Sequence, residues 1–387
     1  MAKGIFFKLL TVLFLLSTGY VSGQPERPLS RQNLMVEGRI HYGYLMSHHL
    51  ELDIFRAHYP AFEFSIQKGT YGKNRWEAMY AYPIIGVAAW GSQLGGFKEI
   101  GSAIAVYPFV DFPLFGDQSN GFNFRLGVGL GYLTNKFDAV NNYKNFAIGS
   151  HINACGSLYF EYRYKPSGRL SLSASFGLTH FSNGSTKTPN YGLNIITANV
   201  GIAYFLHKSN PYLDKKILPE LYPYEFDGRK YINFELSASV ASKDMTQQYG
   251  KRFAVYAAFF NIMKQVSYKS KWGLGLDATY DNSDRFILEK RGFEVTNDFQ
   301  ILKTGFNIAY ELLISKMTFM FNAGIYLSGK EKSEGDFYQR LTVKYKVLGN
   351  IFANLVLSVH LGRAEYVGIG LGYGLDVVYK RKIKHKG

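Results

Sequence analysis

The sequence predicts an all-β protein, a transmembrane antiparallel β-barrel of about 16 strands in total. Apolar and polar residues alternate with period two along many segments. The 387 residues include 30 Tyr, 31 Phe and 40 Gly but only 11 Pro, a composition typical of short alternating strands. Beyond the first residues, no stretch approaches the roughly 18 continuous apolar residues of a spanning helix.

The N-terminus predicts export. Lys3 and Lys8 precede an apolar run that ends at Leu16, and small residues follow it. This is the layout of a secretory signal peptide over residues 1–23, cleaved near Gly23. Its apolar part is too short to span a membrane. We therefore expect the mature protein in the cell outer membrane.

The segment 122–132 shows the alternation most clearly. Its even positions are apolar or aromatic, and its odd positions are Asn, Arg or Gly. Since successive strand side chains point to opposite faces, one face is apolar and the other is small or polar. A soluble sandwich strand shows the same alternation. The membrane prediction therefore depends on repetition in strands of about ten residues, separated by unequal loops.

The alternation repeats in two groups of eight candidate strands. The first group is predicted at 36–47, 59–68, 78–92, 100–113, 122–135, 150–165, 169–183 and 193–206. The second is predicted at 231–243, 252–267, 272–282, 301–315, 317–329, 337–349, 351–361 and 365–380. A polar linker at 207–230 separates a barrel half at 24–206 from a C-terminal β-strand region at 231–387. Both a single barrel of about 16 strands and two smaller barrels fit this pattern.

Loop lengths predict which end of the barrel faces outward. If the chain starts in the periplasm, the turns at 165–168 and 315–316 fall inside. The longer loops at 136–149, 184–192 and 283–300 then fall outside. Short periplasmic turns and longer outer loops are typical of these barrels. The longer inner turns near 69–77 and 114–121 and the short outer link at 362–363 depart from this pattern. Both termini are then expected in the periplasm.

Charge and cysteine content narrow the function classes. The formal net charge of +15 falls to +13 without the two lysines of the signal peptide. A basic exported protein can favour an anionic partner, such as a phosphate-rich outer-membrane surface, or can simply carry a solvated basic surface. The export signal and the lack of a nucleic-acid-binding motif argue against nucleic acid. The one cysteine, Cys155, excludes an internal disulfide and is interpreted as a small lumen-side filler.

The segment 170–206 places reactive residue types on an apolar strand face. Even positions of its first strand up to Leu178 are apolar, which predicts the lipid-facing side. His180 and Ser182 continue that face, and Asn194 has the lipid-facing parity of the next strand. The three side chains are therefore predicted to converge outside the barrel at its outer rim, beside lipid head groups.

These rim residues match the parts of a serine hydrolase. A hydroxyl nucleophile needs an imidazole base and a group that orients the base. Ser182, His180 and Asn194 supply these types, and Asn183 and Asn190 could donate amide hydrogen bonds to an oxyanion. Residues two apart in a strand are separated by about 7 Å, so the pair needs local adjustment to meet. A polar strand end followed by a polar loop explains the same spacing without chemistry.

Two motifs resemble a known family. The sequence His-Phe-Ser-Asn at 180–183, followed by Pro-Asn-Tyr-Gly-Leu at 189–193, is similar to the signature of PagL-type lipid A 3-O-deacylases. The resemblance extends over about 36–206. It implies an eight-stranded outer-membrane barrel that hydrolyses the ester at position 3 of lipid A with no metal or other cofactor. The implied partner is lipopolysaccharide, through its lipid A.

The resemblance also implies residue roles. Ser182 would be the nucleophile and His180 the general base, while Asn183 and Asn190 match the asparagines linked to the oxyanion hole. The family's acid, which orients the histidine, falls at Asn194. An amide can orient a histidine but cannot stabilise an imidazolium by charge. The second half of the chain lies beyond the family's usual length.

Three function classes fit these observations: a lipid A deacylase, a catalytically inactive barrel acting as scaffold or binding protein, and a pore built with the second half. A polar, open lumen lined by charges would favour the pore. Glu161 and Arg125 have lumen parity on neighbouring strands and are predicted to form an interior ion pair. The adjacent His48 and His49 point to opposite strand faces, so they cannot readily share a metal. The oligomeric state stays open.

Overall fold

The computed structural model describes residues 33–72, 74–116, 120–206, 230–245, 251–332, 335–361 and 363–379. Within these ranges the chain is all-β, with 16 antiparallel strands and a few short helices. The predicted signal peptide at 1–23 and nearly all of the predicted linker at 207–230 lie outside the described residues.

The first eight strands close into a barrel. Each strand pairs with its neighbours in sequence, and the eighth pairs back with the first. The strands are β1 Leu34–Leu45, β2 Ala61–Gly69, β3 Ile84–Ser92, β4 Ala103–Gly116, β5 Asn120–Leu133, β6 Ile152–Tyr164, β7 Leu170–Ser182 and β8 Leu193–Phe205. We call this the N-terminal barrel.

The next eight strands close into a second barrel in the same way, with the last strand paired to the first. The strands are β9 Lys230–Asp244, β10 Arg252–Gln265, β11 Ser270–Asp281, β12 Leu302–Ile314, β13 Met317–Tyr326, β14 Phe337–Leu348, β15 Ile351–His360 and β16 Arg363–Tyr379. Of the two arrangements that the sequence left open, the chain adopts two closed barrels. We call the second the C-terminal barrel.

The helices are short and lie between strands. They are α1 Arg75–Met79, α2 Asn282–Lys290 and three 3-10 turns at Leu50–Phe55, Leu94–Gly96 and Asp298–Gln300. No helix in the described ranges is long and apolar enough to cross a membrane.

One predicted strand was wrong in its first part. The strand expected at 78–92 begins only at Ile84, because the chain first forms α1 and then turns. Ala81 and Tyr82 both have φ of 57°, a left-handed conformation that cannot continue an extended strand. The period-two pattern does not report such a turn.

The outer faces of both barrels are apolar. Exposed large apolar side chains recur at alternate strand positions, including Phe62, Phe64, Ile104, Val106, Phe160, Phe176, Val200 and Ile202 in the first barrel and Leu236, Leu274, Leu276, Ile308, Phe321, Leu355, Ile369 and Leu371 in the second. A closed barrel with this exterior satisfies its backbone internally and presents hydrocarbon to lipid.

The lumen of the N-terminal barrel has a charged part and an apolar part. We call the end that carries the loops at 136–149 and 183–192 the outer end, following the orientation predicted from the loop lengths, and the opposite end the inner end. In the middle and at the inner end, buried ion pairs join Arg39, Arg125 and Arg163 to Glu37, Glu63, Asp111 and Glu161. The predicted Arg125–Glu161 pair is confirmed at 3.4 Å. At the outer end, an apolar cluster includes Trp90 and Phe181. Cys155 is fully buried within it, which agrees with its interpretation as a lumen filler.

The lumen of the C-terminal barrel is charged along more of its length. Lys344 forms ion pairs with Glu235 and Glu311 near the inner end. At the outer mouth, Lys243 and Asp281 lie 2.9 Å apart, and further ion pairs follow around the rim. An eight-stranded barrel is just wide enough for side chains to fill. Buried polar and apolar side chains occupy both lumens, and a cavity lined by Lys243, Asp284 and Glu365 remains at the mouth of the C-terminal barrel.

Candidate active site

Strand β7 directs His180 and Ser182 to the outer surface of the N-terminal barrel. The intervening Phe181 is fully buried in the lumen, while both polar residues are partly exposed on the face that carries Phe176. Asn194 of β8 lies directly opposite His180 in the antiparallel register. The outward placement predicted from strand parity is confirmed for all three side chains.

His180 and Asn194 form a close hydrogen bond. The Nδ1 atom of His180 lies 2.6 Å from the Oδ1 atom of Asn194. Since an amide oxygen can only accept, Nδ1 carries the hydrogen and donates it. This tautomer leaves Nε2 of His180 as an acceptor, which is the state a general base requires.

A second histidine contacts Asn194 from the other side. The Nδ2 atom of Asn194 lies 3.1 Å from Nδ1 of His48, so Asn194 donates to one imidazole while it accepts from another. The neighbouring His49 stacks on the Tyr191 ring, with centroids 4.1 Å apart. Partial burial, followed by the nearby His48, lowers the pKa of His49. The two adjacent histidines thus support different parts of the rim.

Sequence reasoning missed His48 as part of this site. It lies 146 positions before Asn194, and only barrel closure brings them together. Leu45 pairs with Ile195, and the Met46 amide donates to the Asn194 carbonyl. Closure of an eight-stranded barrel, once assumed, places the end of β1 beside the start of β8.

Two N–H donors converge on the Ser182 hydroxyl. The Oγ atom accepts from Nδ2 of Asn190 at 2.8 Å and from the backbone N of Gly184 at 3.2 Å. In the described part of the chain, no hydrogen bond joins Ser182 to His180. The sequence pointed to Asn190 but not to the Gly184 amide, because a backbone donor leaves no signature in residue types.

The Asn183 side chain is used within the loop after β7. Its Nδ2 donates to Ser150 Oγ and to the Lys187 carbonyl, each at 2.9 Å. Its backbone N–H donates to Oδ1 of Asn190 at 3.0 Å, which orients the amide that reaches Ser182. These contacts make Asn183 a support of the loop, and its role as an oxyanion donor stays a prediction.

The polar rim rests on tightly packed apolar side chains. Phe181 lies 5.5 Å from the Trp90 ring between centroids, and Leu193 and Ile195 of β8 are fully buried beside it. Gly192, with φ of 79°, lets the chain pass close to His180. A Cβ there would lie 3.1 Å from Cε1 of the imidazole.

Comparison with known families gives two matches that together cover most of both barrels. Residues 61–203 match the family described as lipid A 3-O-deacylase (PagL). Residues 232–377 match the one described as acyloxyacyl hydrolase, C-terminal domain. The first match includes both motifs, at 180–183 and 189–193. A search of curated proteins gave no match.

Solved structures similar to this chain include porins and a channel. A triple mutant of the Rhodopseudomonas blastica porin is 10% identical over 88% of this chain and 99% of its own, with a TM-score of 0.20. The TodX deltaS2S3 mutant, a monoaromatic hydrocarbon channel, is 8% identical over 89% of each chain, with a TM-score of 0.18.

Proposed function

The N-terminal barrel belongs to the PagL family of lipid A 3-O-deacylases, and from this premise we propose that the chain hydrolyses the acyl ester at position 3 of lipid A in the outer membrane. Ser182 is the proposed nucleophile and His180 the proposed general base. The observation that carries the proposal is the outward, lipid-facing position of a His180 whose Nδ1 is bonded to Asn194 at 2.6 Å.

The proposed reaction follows from the donors and acceptors at the rim. Nε2 of His180 takes the Ser182 proton as Oγ attacks the ester carbonyl carbon. The Asn190 amide and the Gly184 N–H, which donate to Oγ before the reaction, are the proposed donors to the oxyanion that forms beside it. His180 then protonates the departing sugar oxygen, and water hydrolyses the acyl-serine by the same route.

His180 and Ser182 must approach each other for this step. Their Cα atoms are two positions apart on one strand face, about 7 Å, and both side chains are partly exposed. Catalytic hydrogen bonds are often long in the absence of substrate and tighten in the reacting complex. Rotation of the two side chains toward a bound ester brings Nε2 and Oγ together.

The outward position supports a lipid substrate. A lipid can diffuse sideways to the serine while its acyl chains remain beside exposed apolar residues such as Phe176. A site inside the lumen would require the whole lipid to leave the membrane. The lumen of the N-terminal barrel is also closed by buried ion pairs such as Arg125–Glu161, which argues against a pore through this barrel.

Asn194 stands where the family has an acid. It can orient the His180 ring, but it stabilises a protonated His180 less than a carboxylate would. The amide fixes His180 through Oδ1 and is itself fixed by its bond to His48. A neutral orienter holds the imidazole in the productive tautomer. We therefore propose that the enzyme is active because Asn194 holds His180 in the productive orientation, although residue 194 carries no charge to stabilise the imidazolium.

Mass spectrometry of lipid A tests the proposal. Lipid A from cells that make the protein should lose the mass of one ester-linked acyl chain, relative to cells that lack it. Identical spectra, with the protein folded and present in the outer membrane, would reject deacylation and leave the inactive scaffold.

A further inference from the structure

The loop that follows β7 is held by the C-terminal barrel. This loop, residues 183–192, supplies both donors to the Ser182 hydroxyl. Its Thr188 amide donates to Oδ2 of Asp244 at 3.0 Å, and the Asp244 amide donates to the Ser185 carbonyl at 3.0 Å. The Ser185 hydroxyl donates to the Ala364 carbonyl at 2.6 Å. The contact therefore involves β9 and β16 of the second barrel.

Asp244 is the centre of this contact. Its side chain is 4% exposed, and one carboxylate oxygen accepts from the Thr188 amide and lies 3.4 Å from the Thr188 hydroxyl. The Lys187 ammonium is 3.6 Å away. Hydrogen bonds to a buried carboxylate are stronger than neutral ones. A single residue of the second barrel therefore fixes two consecutive residues of the loop.

Gly184 is constrained from the same side. It has φ of 61°, and a Cβ at this position would lie 2.1 Å from Cγ2 of Val367 in β16. The backbone of the loop thus lies directly against the second barrel, where its N–H is directed to Ser182 Oγ. Only glycine combines this backbone conformation with this approach.

We infer that Asp244 is a positioning residue for the chemistry of the N-terminal barrel. It holds the loop in the conformation in which Gly184 and Asn190 donate to Ser182. The C-terminal barrel is thereby part of the active unit, although its residues do not touch the reacting atoms. The effect of Asp244 on catalysis rests on the proposed function. Its effect on the conformation of the loop does not.

Amide hydrogen exchange on the folded full chain tests the structural consequence without any activity. Asp244→Ala removes the acceptor of the Thr188 N–H, so exchange across 183–190 should accelerate about tenfold or more. Asp244→Asn keeps an oxygen acceptor and should restore most of the protection. The matched control is Asp281→Asn, a buried carboxylate on the same rim that pairs with Lys243. Unchanged loop exchange in Asp244→Ala would overturn the inference.

Steady-state kinetics with purified lipid A tests the catalytic consequence. Asp244→Ala should lower kcat by about 10- to 100-fold with KM within about threefold, because the oxyanion donors are displaced rather than substrate binding lost. Asp244→Asn should recover most of this loss. Asp281→Asn should leave kcat unchanged. An equal loss in Asp281→Asn would reduce Asp244 to a general stabiliser of the second barrel and contradict the inference.

A double-mutant cycle shows whether Asp244 acts through the loop. In an Asn190→Ala background, Asp244→Ala should lower kcat much less than in the wild type, since the Asn190 donor that Asp244 positions is already gone. Full additivity would contradict the inference. If the wild-type chain releases no acyl group, the proposed function fails, while the exchange measurement still decides whether Asp244 positions the loop.

Discussion

The two barrels share strand number and closure but differ at their outer ends. The outer end of the N-terminal barrel is packed with apolar side chains such as Trp90 and Phe181. The outer mouth of the C-terminal barrel holds ion pairs, with Lys303 lying 3.0 Å from Asp284 and 3.2 Å from Glu365. The reacting residues that we propose lie above the apolar end.

This difference shows how a β-barrel can direct polar side chains to its outside. Side chains alternate between the two faces of a strand, so a side chain locked in the lumen fixes the direction of its neighbours. Phe181, packed in a dense core, fixes His180 and Ser182 to point outward. The polar mouth of the second barrel instead supplies Asp244, which supports the loop from the side.

Among the variants that compare the two faces of β7, His180→Ala is expected to have the largest effect on kcat. Loss of the general base should lower kcat by about 10²- to 10⁴-fold, with the barrel still folded. The matched lumen-side change is Thr179→Val, which removes a 2.8 Å hydrogen bond to Tyr159. It should cost about 1 kcal/mol in the free energy of unfolding and leave kcat unchanged.

Kinetics with lipid A and unfolding in vesicles measure both quantities. If Thr179→Val lowered kcat as much as His180→Ala, the two faces would not divide chemistry from packing. The comparison between the apolar lumen and the reactive rim would then be wrong.

The next effect compares the two cores directly. Phe181→Ala and Phe259→Ala each remove a buried ring, one from each barrel, and each should cost about 3–5 kcal/mol in the free energy of unfolding. Only Phe181→Ala should also lower kcat, because its cavity opens beneath the rim. Denaturant titration and kinetics on the same preparations would test this. A similar loss of kcat in Phe259→Ala would show that general stability, not the local core, supports the site.

Much of the fold could be predicted because the face on which a side chain lies depends only on its position along its own strand. The strand predicted at 169–183 is found at Leu170–Ser182, and the apolar run before His180 fixed which face turns to lipid. The β2–β3 connection could not be predicted, since the positive φ of Ala81 and Tyr82 has no period-two signal. The number of barrels could not be predicted either, because it depends on which distant strands pair to close each barrel.

Less of the site could be predicted because it depends on distant pairing. His180, Ser182 and Asn194 share one hairpin, so their convergence follows from two adjacent strands. His48 enters through the pairing of β1 with β8. Asp244 enters through the packing of one barrel on another. Neither contact has a signature in the spacing of residue types.

A smaller effect is expected at Asn194, which stands where the family resemblance implies an acid. Asn194→Ala removes the acceptor that orients His180 and should lower kcat about tenfold, the effect of one lost hydrogen bond. Asn194→Glu restores a charged orienter and should raise kcat or leave it intact. Kinetics on both variants measures the contrast. Loss of a robust wild-type activity in Asn194→Glu would show that Asn194 is not the orienter.

The smallest effect is expected at His48, which acts only through Asn194. His48→Ala should lower kcat about two- to fivefold, because Asn194 keeps its direct bond to His180 and loses one exposed contact. In an Asn194→Ala background the same change should have no effect on kcat. A loss as large as that of His180→Ala would instead make His48 the base.

Mass spectrometry of lipid A incubated with purified wild-type and Ser182→Ala protein tests the central claim most directly. Ser102→Ala, at the outer rim just before β4, is the matched control. The account predicts loss of one ester-linked acyl chain with the wild type and Ser102→Ala, and intact lipid A with folded Ser182→Ala. Deacylation by Ser182→Ala at the wild-type rate would contradict the account.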